Sequence, residues 1–315
     1  MTEIKLYAAP MEGLTTPVWR QVHAALFGGA DKYFTPFLSP NANRSFQHKE
    51  LREVENGAGL PLVPQLLTNR SEYFIWGART LADMGYREIN FNLGCPSGTV
   101  CAKHKGAGML ADPAALDACL GEIMAAVPEV RISVKTRLGG SDVAEWPALA
   151  EVYGRHALSE LIVHPRVRRE QYGGEVHRDV FETIRGPWPL IYNGDLRTPE
   201  DIAAIRAGCP DLAGVMAGRG LIADPALFRR YRGGPAATAA EMRRYHDALL
   251  EGYADLYAGQ QEPVLHKMWE LWAWLQDAYV GAAEYRKPIL KAKTLSAYRA
   301  AAEEIMAACP LRWER

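Results

Sequence analysis

A rhythm in the chain constrains its fold more than any other feature: short apolar, β-prone runs recur as far as Ala217, each followed by a stretch with helical spacing or by a polar loop. That alternation is the pattern of repeated βα units around a parallel sheet. Eight runs can be counted, near Lys5–Ala9, Lys32–Pro36, Leu62–Leu66, Glu88–Asn92, Arg131–Thr136, Glu160–His164, Leu190–Asn193 and Gly214–Ala217. Thr16-Pro17, Asp112-Pro113 and Thr198-Pro199 each put a capping residue before a proline at the first helical position. Eight parallel strands close on themselves, so the expected class is α/β, a (β/α)8 TIM barrel with its reactive groups at the carboxyl ends of the strands.

Past Arg232 the pattern changes. Gly233-Gly234-Pro235 reads as a hinge, and beyond it the β-prone runs stop. Segments Ala239–Tyr257, Val264–Tyr279 and Ile289–Ala308 carry apolar residues at three- and four-residue spacing, which suits a small antiparallel bundle. The expected organisation is a barrel domain over residues 1–233 and a helical domain over residues 236–315. A chain of 315 residues, 48% of them hydrophobic, can bury cores of that size.

Charge and cysteine usage narrow the function classes. Lys and Arg total 36 against 37 Asp and Glu, so binding to nucleic acid through overall positive charge is excluded and any RNA contact must come from local patches. The five cysteines form no C-x-x-C pair and resemble neither a disulfide framework nor a zinc site, which fits a reducing, cytoplasmic setting. The eight histidines show no paired ligand spacing, so no metal is expected. No apolar run reaches the ~18 residues of a membrane span, and no targeting segment is visible.

Chemistry concentrates at the strand ends. Ile89-Asn90-Phe91-Asn92-Leu93-Gly94-Cys95-Pro96-Ser97 puts a cysteine at the end of the fourth strand, between a glycine and a proline that would hold it in a tight turn. The bland reading is a buried structural cysteine, since free cysteines are among the most buried residues. Lys103-His104-Lys105-Gly106-Ala107-Gly108 follows, basic and glycine-rich, as a mobile loop over a site would be. Lys135 ends the fifth strand, His164 the sixth and Asn193-Gly194-Asp195 the seventh, all at one rim. A lysine inside the apolar run Ile132-Ser133-Val134-Lys135 suggests an anionic partner, because lysine is rarely buried, although a charge can also mark a strand end. A lone histidine is more often a satisfied core residue. Gly218-Arg219-Gly220 after the eighth strand, with a short helix expected after Asp224-Pro225, matches the usual phosphate site of such barrels.

Taken in order, Ala9-Pro10-Met11-Glu12-Gly13, Gln65, Asn92-Leu93-Gly94-Cys95-Pro96-Ser97, Val134-Lys135-Thr136-Arg137-Leu138-Gly139, Val163-His164-Pro165-Arg166, Asn193-Gly194-Asp195 and Gly218-Arg219-Gly220 resemble the bacterial tRNA-dihydrouridine synthase family. The match runs across residues 8–220, and the helical tail is similar to that family's RNA-binding domain. The resemblance implies FMN held by Pro10, Met11, Glu12, Gln65, Lys135, His164, Asn193, Gly194, Asp195, Gly218 and Arg219, with NADPH as reductant and tRNA as partner. It implies Cys95 as the general acid, with Asn92, Arg137 and Tyr172 at the flipped uracil or its flavin-facing surroundings. Two departures stand out: Pro165 where relatives often have glycine, and the loop containing Cys101 and Lys103.

Candidate RNA-gripping cations are Arg166, Arg168 and Arg169, and in the tail Arg286, Lys287, Lys291, Lys293 and Arg299, where residues 285–302 carry no acid. Basic residues on a helix are usually only a solvated face. Trp269, Trp272 and Trp274 read as bundle core. The chain is expected to act as a monomer. Two other readings stay open: an FMN barrel oxidoreductase acting on a free pyrimidine, similar to dihydroorotate dehydrogenase, and a non-catalytic tRNA-binding or folding factor.

Overall fold

The computed structural model describes residues 3–55 and 59–314. Eight parallel strands close in chain order into a barrel: β1 (Lys5–Ala8), β2 (Lys32–Leu38), β3 (Leu62–Leu66), β4 (Glu88–Leu93), β5 (Arg131–Gly139), β6 (Leu161–Val167), β7 (Leu190–Tyr192) and β8 (Gly214–Ala217). The expected (β/α)8 barrel is therefore present. β5 and β6 both run three residues further than the apolar runs suggested, and they pair there through Arg137 with His164 and Gly139 with Val167. Polar side chains in those extensions hid their strand character from an apolar-run criterion.

Side chains alternate across a strand, so the register sorts them into two faces. Asn90 pairs with Ser133, Asn92 with Lys135 and Lys135 with Ile162. Ile162 belongs to the apolar cluster of Tyr7, Ala9, Phe34, Val63, Ile191 and Met216, which fills the barrel interior. Asn90, Asn92, Ser133, Lys135 and Arg137 thus face inward on the β4–β5 side. The intervening residues face the helices, as in the contact of Phe91 with Phe74 of the Ser71–Asp83 helix at 4.7 Å between ring centroids. Asp112 caps its helix by accepting from the Ala115 N–H at 3.0 Å.

At the opposite, amino end of the strands an ion cluster occupies the interior. Lys32 Nζ donates to Glu88 Oε1 and Oε2 at 2.8 and 2.9 Å and to Glu160 Oε1 at 2.9 Å, while the Tyr7 hydroxyl donates to the same Glu160 oxygen at 2.5 Å. Burial and the Glu160 carboxylate push the Tyr7 phenol far above its ordinary range, so it remains a donor. Removing one member of a buried charge cluster leaves the others uncompensated. Lys32→Met is therefore expected to lower stability by about 3 kcal/mol, measured as a fall in the urea midpoint; an unchanged midpoint would show that the cluster adds nothing.

By packing, the chain forms two compact units, one of Met1–Pro10, Asp31–Asp195 and Ala204–Met216, the other of Met11–Ala30, Leu196–Ala203 and Ala217–Arg315. Within the second, the Pro17–Leu26 helix packs on Ala239–Leu256: Trp19 Nε1 donates to the Tyr245 hydroxyl at 2.6 Å, and Thr16 and Tyr253 hydroxyls meet at 2.7 Å. His23, stacked on Trp19, is pushed down to about 4 by burial and stays neutral. In the tail, Trp272 Nε1 donates to the Tyr298 hydroxyl at 2.7 Å, which leaves that hydroxyl's proton for His246 Nε2 at 2.8 Å.

The third expected tail helix is two helices, Arg286–Lys291 and Leu295–Ala308. The break falls where Thr294 takes extended backbone and its hydroxyl accepts from the Ala297 N–H, an N-cap. Among the described residues no helix is long and apolar enough to cross a membrane.

Candidate active site

Cys95 sits immediately beyond β4 on a turn that Asn92 builds. Asn92 Oδ1 accepts from the N–H groups of Gly94 at 3.1 Å and Cys95 at 3.0 Å, an Asx turn that aims the residue after the strand. The amide cannot rotate, because Asn92 Nδ2 donates to Gln65 Oε1 at 2.7 Å. Gln65 Nε2 in turn donates to Asn90 Oδ1 at 2.8 Å, and Asn90 Nδ2 to Ser133 Oγ at 2.9 Å. This buried amide ladder is fully satisfied along its length and so fixes the turn from within the barrel. The resemblance gave Asn92 and Gln65 ligand roles; the structure gives each of them, in addition, a part in holding Cys95.

In the glycine-rich segment after Cys95, Lys103 and His104 are exposed, whereas Gly106 and Ala107 are buried and brace the cysteine. Residues Gly106–Ala111 form a 3-10 turn, with the Ala107 N–H donating to the Cys95 carbonyl at 3.1 Å. Gly106 has φ +56°, and a Cβ there would come within 3.0 Å of both Cys95 Cβ and its carbonyl oxygen, so only glycine fits. The thiol itself is half-buried. Burial pushes it above the ordinary thiol range, outweighing the Ser97 N–H and the Arg137 and Lys135 charges that favour the thiolate. At neutral pH Cys95 is therefore a protonated donor.

Lys135 neighbours Asn92 across the β4–β5 ladder. Part of its surface stays open, but it lies deep enough in the barrel mouth that desolvation, then the Arg137 charge, pulls its ammonium down to about 7. Among the described residues it has no hydrogen-bond or ion-pair partner. Arg137, 1% exposed, donates through Nε to the Gly94 carbonyl at 2.8 Å and through Nη1 to the Val167 carbonyl at 3.2 Å, so it braces the Cys95 turn against the end of β6. Its guanidinium also lies 5.3 Å from the ring centroid of Tyr172, which is 55% exposed and leans toward His164.

Arg166 departs from the surface role expected for it. It is 3% exposed and pairs with Asp195, Nη2 to Oδ2 at 2.7 Å and Nη1 to Oδ1 at 3.2 Å, in the stretch of β6 where the register with β5 shifts. It is thus withdrawn from the RNA-gripping set. Arg168 and Arg169 are exposed, as are Arg286, Lys287, Lys291, Lys293 and Arg299. Asn193 Nδ2 donates to the Met216 carbonyl at 2.8 Å, tying β7 to β8, and Gly194 and Asp195 follow it at the rim.

In the second compact unit, Met11 opens a turn closed by the Leu14 and Thr15 N–H groups donating to its carbonyl, both at 3.1 Å, with Glu12 exposed within it. Lys267 donates to the Gly13 carbonyl at 3.0 Å. The segment after β8 starts a helix at once, Arg219–Ala223, and a second short helix spans Leu227–Tyr231 after Asp224-Pro225. A Cβ on Gly220 would lie 1.9 Å from the Leu196 carbonyl oxygen, so the chain there tolerates glycine alone. The Arg219 guanidinium lies 5.4 Å from the ring centroid of Trp274, which is half-buried; of the three tryptophans read as core, Trp272 is the fully buried one. Among the described residues no group of three or more His, Cys, Asp or Glu side chains could hold a metal ion.

A thiol, an ammonium, an imidazole and an exposed phenol ring at one barrel rim make a site suited to proton donation beside an anion. A sequence model described as Dihydrouridine synthase (Dus) matches residues 7–308. The chain belongs to the dihydrouridine synthase family. It is 34% identical over 244 residues to a tRNA-dihydrouridine(16) synthase of Ralstonia nicotianae, covering 73% of each chain. To a probable tRNA-dihydrouridine synthase of Staphylococcus epidermidis it is 27% identical over 307 residues, covering 92% of this chain and 90% of the other. Among solved structures, a morphinone reductase variant in complex with tetrahydroNAD shares the fold at 13% identity and a TM-score of 0.53, over 75% of this chain and 88% of that one. In this dihydrouridine synthase family member, the motifs around Cys95, Lys135 and His164 all lie inside the matched span.

Proposed function

We propose that this chain reduces a uridine of tRNA to 5,6-dihydrouridine with bound FMN and NADPH as reductant. The uridine proposed is the one at position 16, after which the relatives of 34% and 33% identity are named. The observation that carries the reading is a protonated thiol, Cys95, at the same barrel mouth as a desolvated lysine, Lys135, that has no anionic partner among the described residues. A cation held beside the buried Arg137 guanidinium calls for an anion, and FMN, with its phosphate and its ring that becomes anionic on reduction, fits that need.

Bound FMN, once reduced, supplies a hydride for C6 of the uracil. The C5=C6 bond is conjugated to the C4 carbonyl, so the electron pair released there must be met by a proton at C5. Cys95 provides it, and the Asn92 turn and the Arg137 brace keep the donor in place. Lys135 would be the cation beside a bound anionic cofactor. The other positions that the family resemblance assigns to FMN keep that proposed role, and Arg137 and Tyr172 are proposed to face the extruded base, since a stacked uridine cannot reach a barrel rim. Residues 1–233 are proposed as the catalytic part and residues 236–315 as the RNA-binding part, with the exposed cations between Arg286 and Arg299 meeting phosphates. The enzyme is proposed to work in the cytoplasm as a monomer.

Position-resolved mapping of dihydrouridine in tRNA from cells lacking this chain tests the reading. Dihydrouridine is expected to vanish at position 16 and return when the wild-type chain is restored. Loss at another position would overturn the choice of uridine; an unaltered map would overturn the activity.

A further inference from the structure

Arg166 spends its donors on three groups from three parts of the rim. Besides its two bonds to Asp195, Nη1 lies 3.1 Å from His164 Nε2, and Nε donates to the Gly174 carbonyl at 2.7 Å. A guanidinium has only N–H groups to offer and is never deprotonated in this setting. The lone pair of that contact must therefore be on His164 Nε2, and the imidazole proton must be on Nδ1. Free imidazole side chains favour the other tautomer, with the proton on Nε2, so the preference is imposed by the neighbour.

The bond to Gly174 has a second effect. Gly174 closes the short loop that starts at Arg168 and carries Tyr172, and Glu170 anchors the loop's other end by accepting from the Val167 N–H and from His177, each at 2.7 Å. The exposed Tyr172 ring is thus carried on a loop fastened at both ends, with Arg166 beneath it.

We infer that Arg166 is a positioning residue of this site: it fixes His164 as the Nδ1–H tautomer and holds the Tyr172 loop, with Asp195 keeping the guanidinium in plane. The tautomer does not depend on what the protein catalyses; the consequence for turnover rests on the activity proposed above. A His164 locked in this form offers its ring N–H from Nδ1 alone, so any hydrogen bond it donates to a ligand has one direction.

The test is 15N NMR of the imidazole nitrogens in the full-length protein, with His164 assigned by its absence from His164→Asn. In the wild type, Nε2 is expected in the unprotonated range and Nδ1 in the protonated range. In Arg166→Met the signals should move toward the Nε2–H form, and Arg166→Lys, which can reach His164 but not all three partners, should lie between. A protonated Nε2 in the wild type, or an unmoved tautomer in Arg166→Met, overturns the inference. The wild-type spectrum decides even if a variant fails to fold.

In turnover on tRNA, Arg166→Met is expected to lose roughly 10²-fold in kcat, with Arg166→Lys recovering part of it, whereas Tyr172→Ala should mainly raise KM. Equal kcat in wild type and Arg166→Met overturns the positioning role. Wild-type protein that shows the Nδ1–H tautomer yet never turns over tRNA would count against the proposed activity and leave the tautomer assignment standing.

Discussion

Cys95→Ala is expected to keep bound flavin and to oxidise NADPH as the wild type does, while forming dihydrouridine roughly 10²–10⁴-fold more slowly, the range for loss of a positioned general acid. The separation is expected because the turn at Cys95 is held by backbone groups. Its N–H donates to Asn92, and its carbonyl accepts from Ala107 and the Cys101 thiol; the side chain contributes only its Cβ contact with Gly106 and a thiol approached by the Ser97 N–H. Alanine retains the Cβ and every one of the backbone bonds. What disappears is the proton, which burial keeps on the sulfur through the neutral range. Single-turnover quantification of dihydrouridine beside a stopped-flow record of NADPH oxidation separates the two halves, and undiminished product would remove Cys95 from the role of acid.

Lys135→Met is expected to have opposite effects on stability and on chemistry. Without cofactor, the folded protein holds an ammonium that desolvation and Arg137 pull down to about 7, while the unfolded chain binds that proton up to the ordinary lysine range. Between those limits the unfolded state carries more protons than the folded state, so this lysine makes stability rise with pH. Below about 7 both states are protonated and the folded state bears the whole cost of the uncompensated charge. FMN-free Lys135→Met should therefore melt roughly 5 °C above FMN-free wild type at pH 6, with the gap closing as pH rises toward 10. In the flavin-loaded enzyme the same change removes a preorganised charge, and hydride transfer should slow about 10²–10³-fold. Thermal melts of both proteins with and without FMN check the first half. A variant less stable than wild type in the FMN-free form at pH 6 would mean that Lys135 is compensated by the protein itself.

The strands and the barrel were legible because apolar runs and period-two alternation survive in a single sequence. The ends of β5 and β6 were not, because Arg137 and Gly139 in one and Pro165 and Arg166 in the other look like loop sequence. Arg166 was grouped with Arg168 and Arg169 as an RNA contact because it follows the sixth apolar run; its burial and its pairing with Asp195 are visible only in the fold. The capping role of Asn92 was available, since an asparagine two residues before a glycine at a strand end is an Asx-turn signal. Thr294 likewise marked a helix start inside what had read as one continuous segment.

The Lys32, Glu88, Glu160 and Tyr7 cluster could not have been found this way, because Tyr7, Lys32 and Glu88 lie on three strands, Glu160 just before a fourth, and only closure of the barrel brings them together. The Trp274 ring beneath Arg219 is a similar case, a contact between distant segments that helical periodicity had assigned to the core.

The most direct measurement reconstitutes the reaction: purified chain, FMN, NADPH and an unmodified tRNA transcript, with each uridine position read by mass spectrometry. The uridine at position 16 is expected to gain two hydrogens with the wild-type chain and not with Cys95→Ala. A wild-type preparation that holds flavin, consumes NADPH and leaves every uridine unreduced would contradict it.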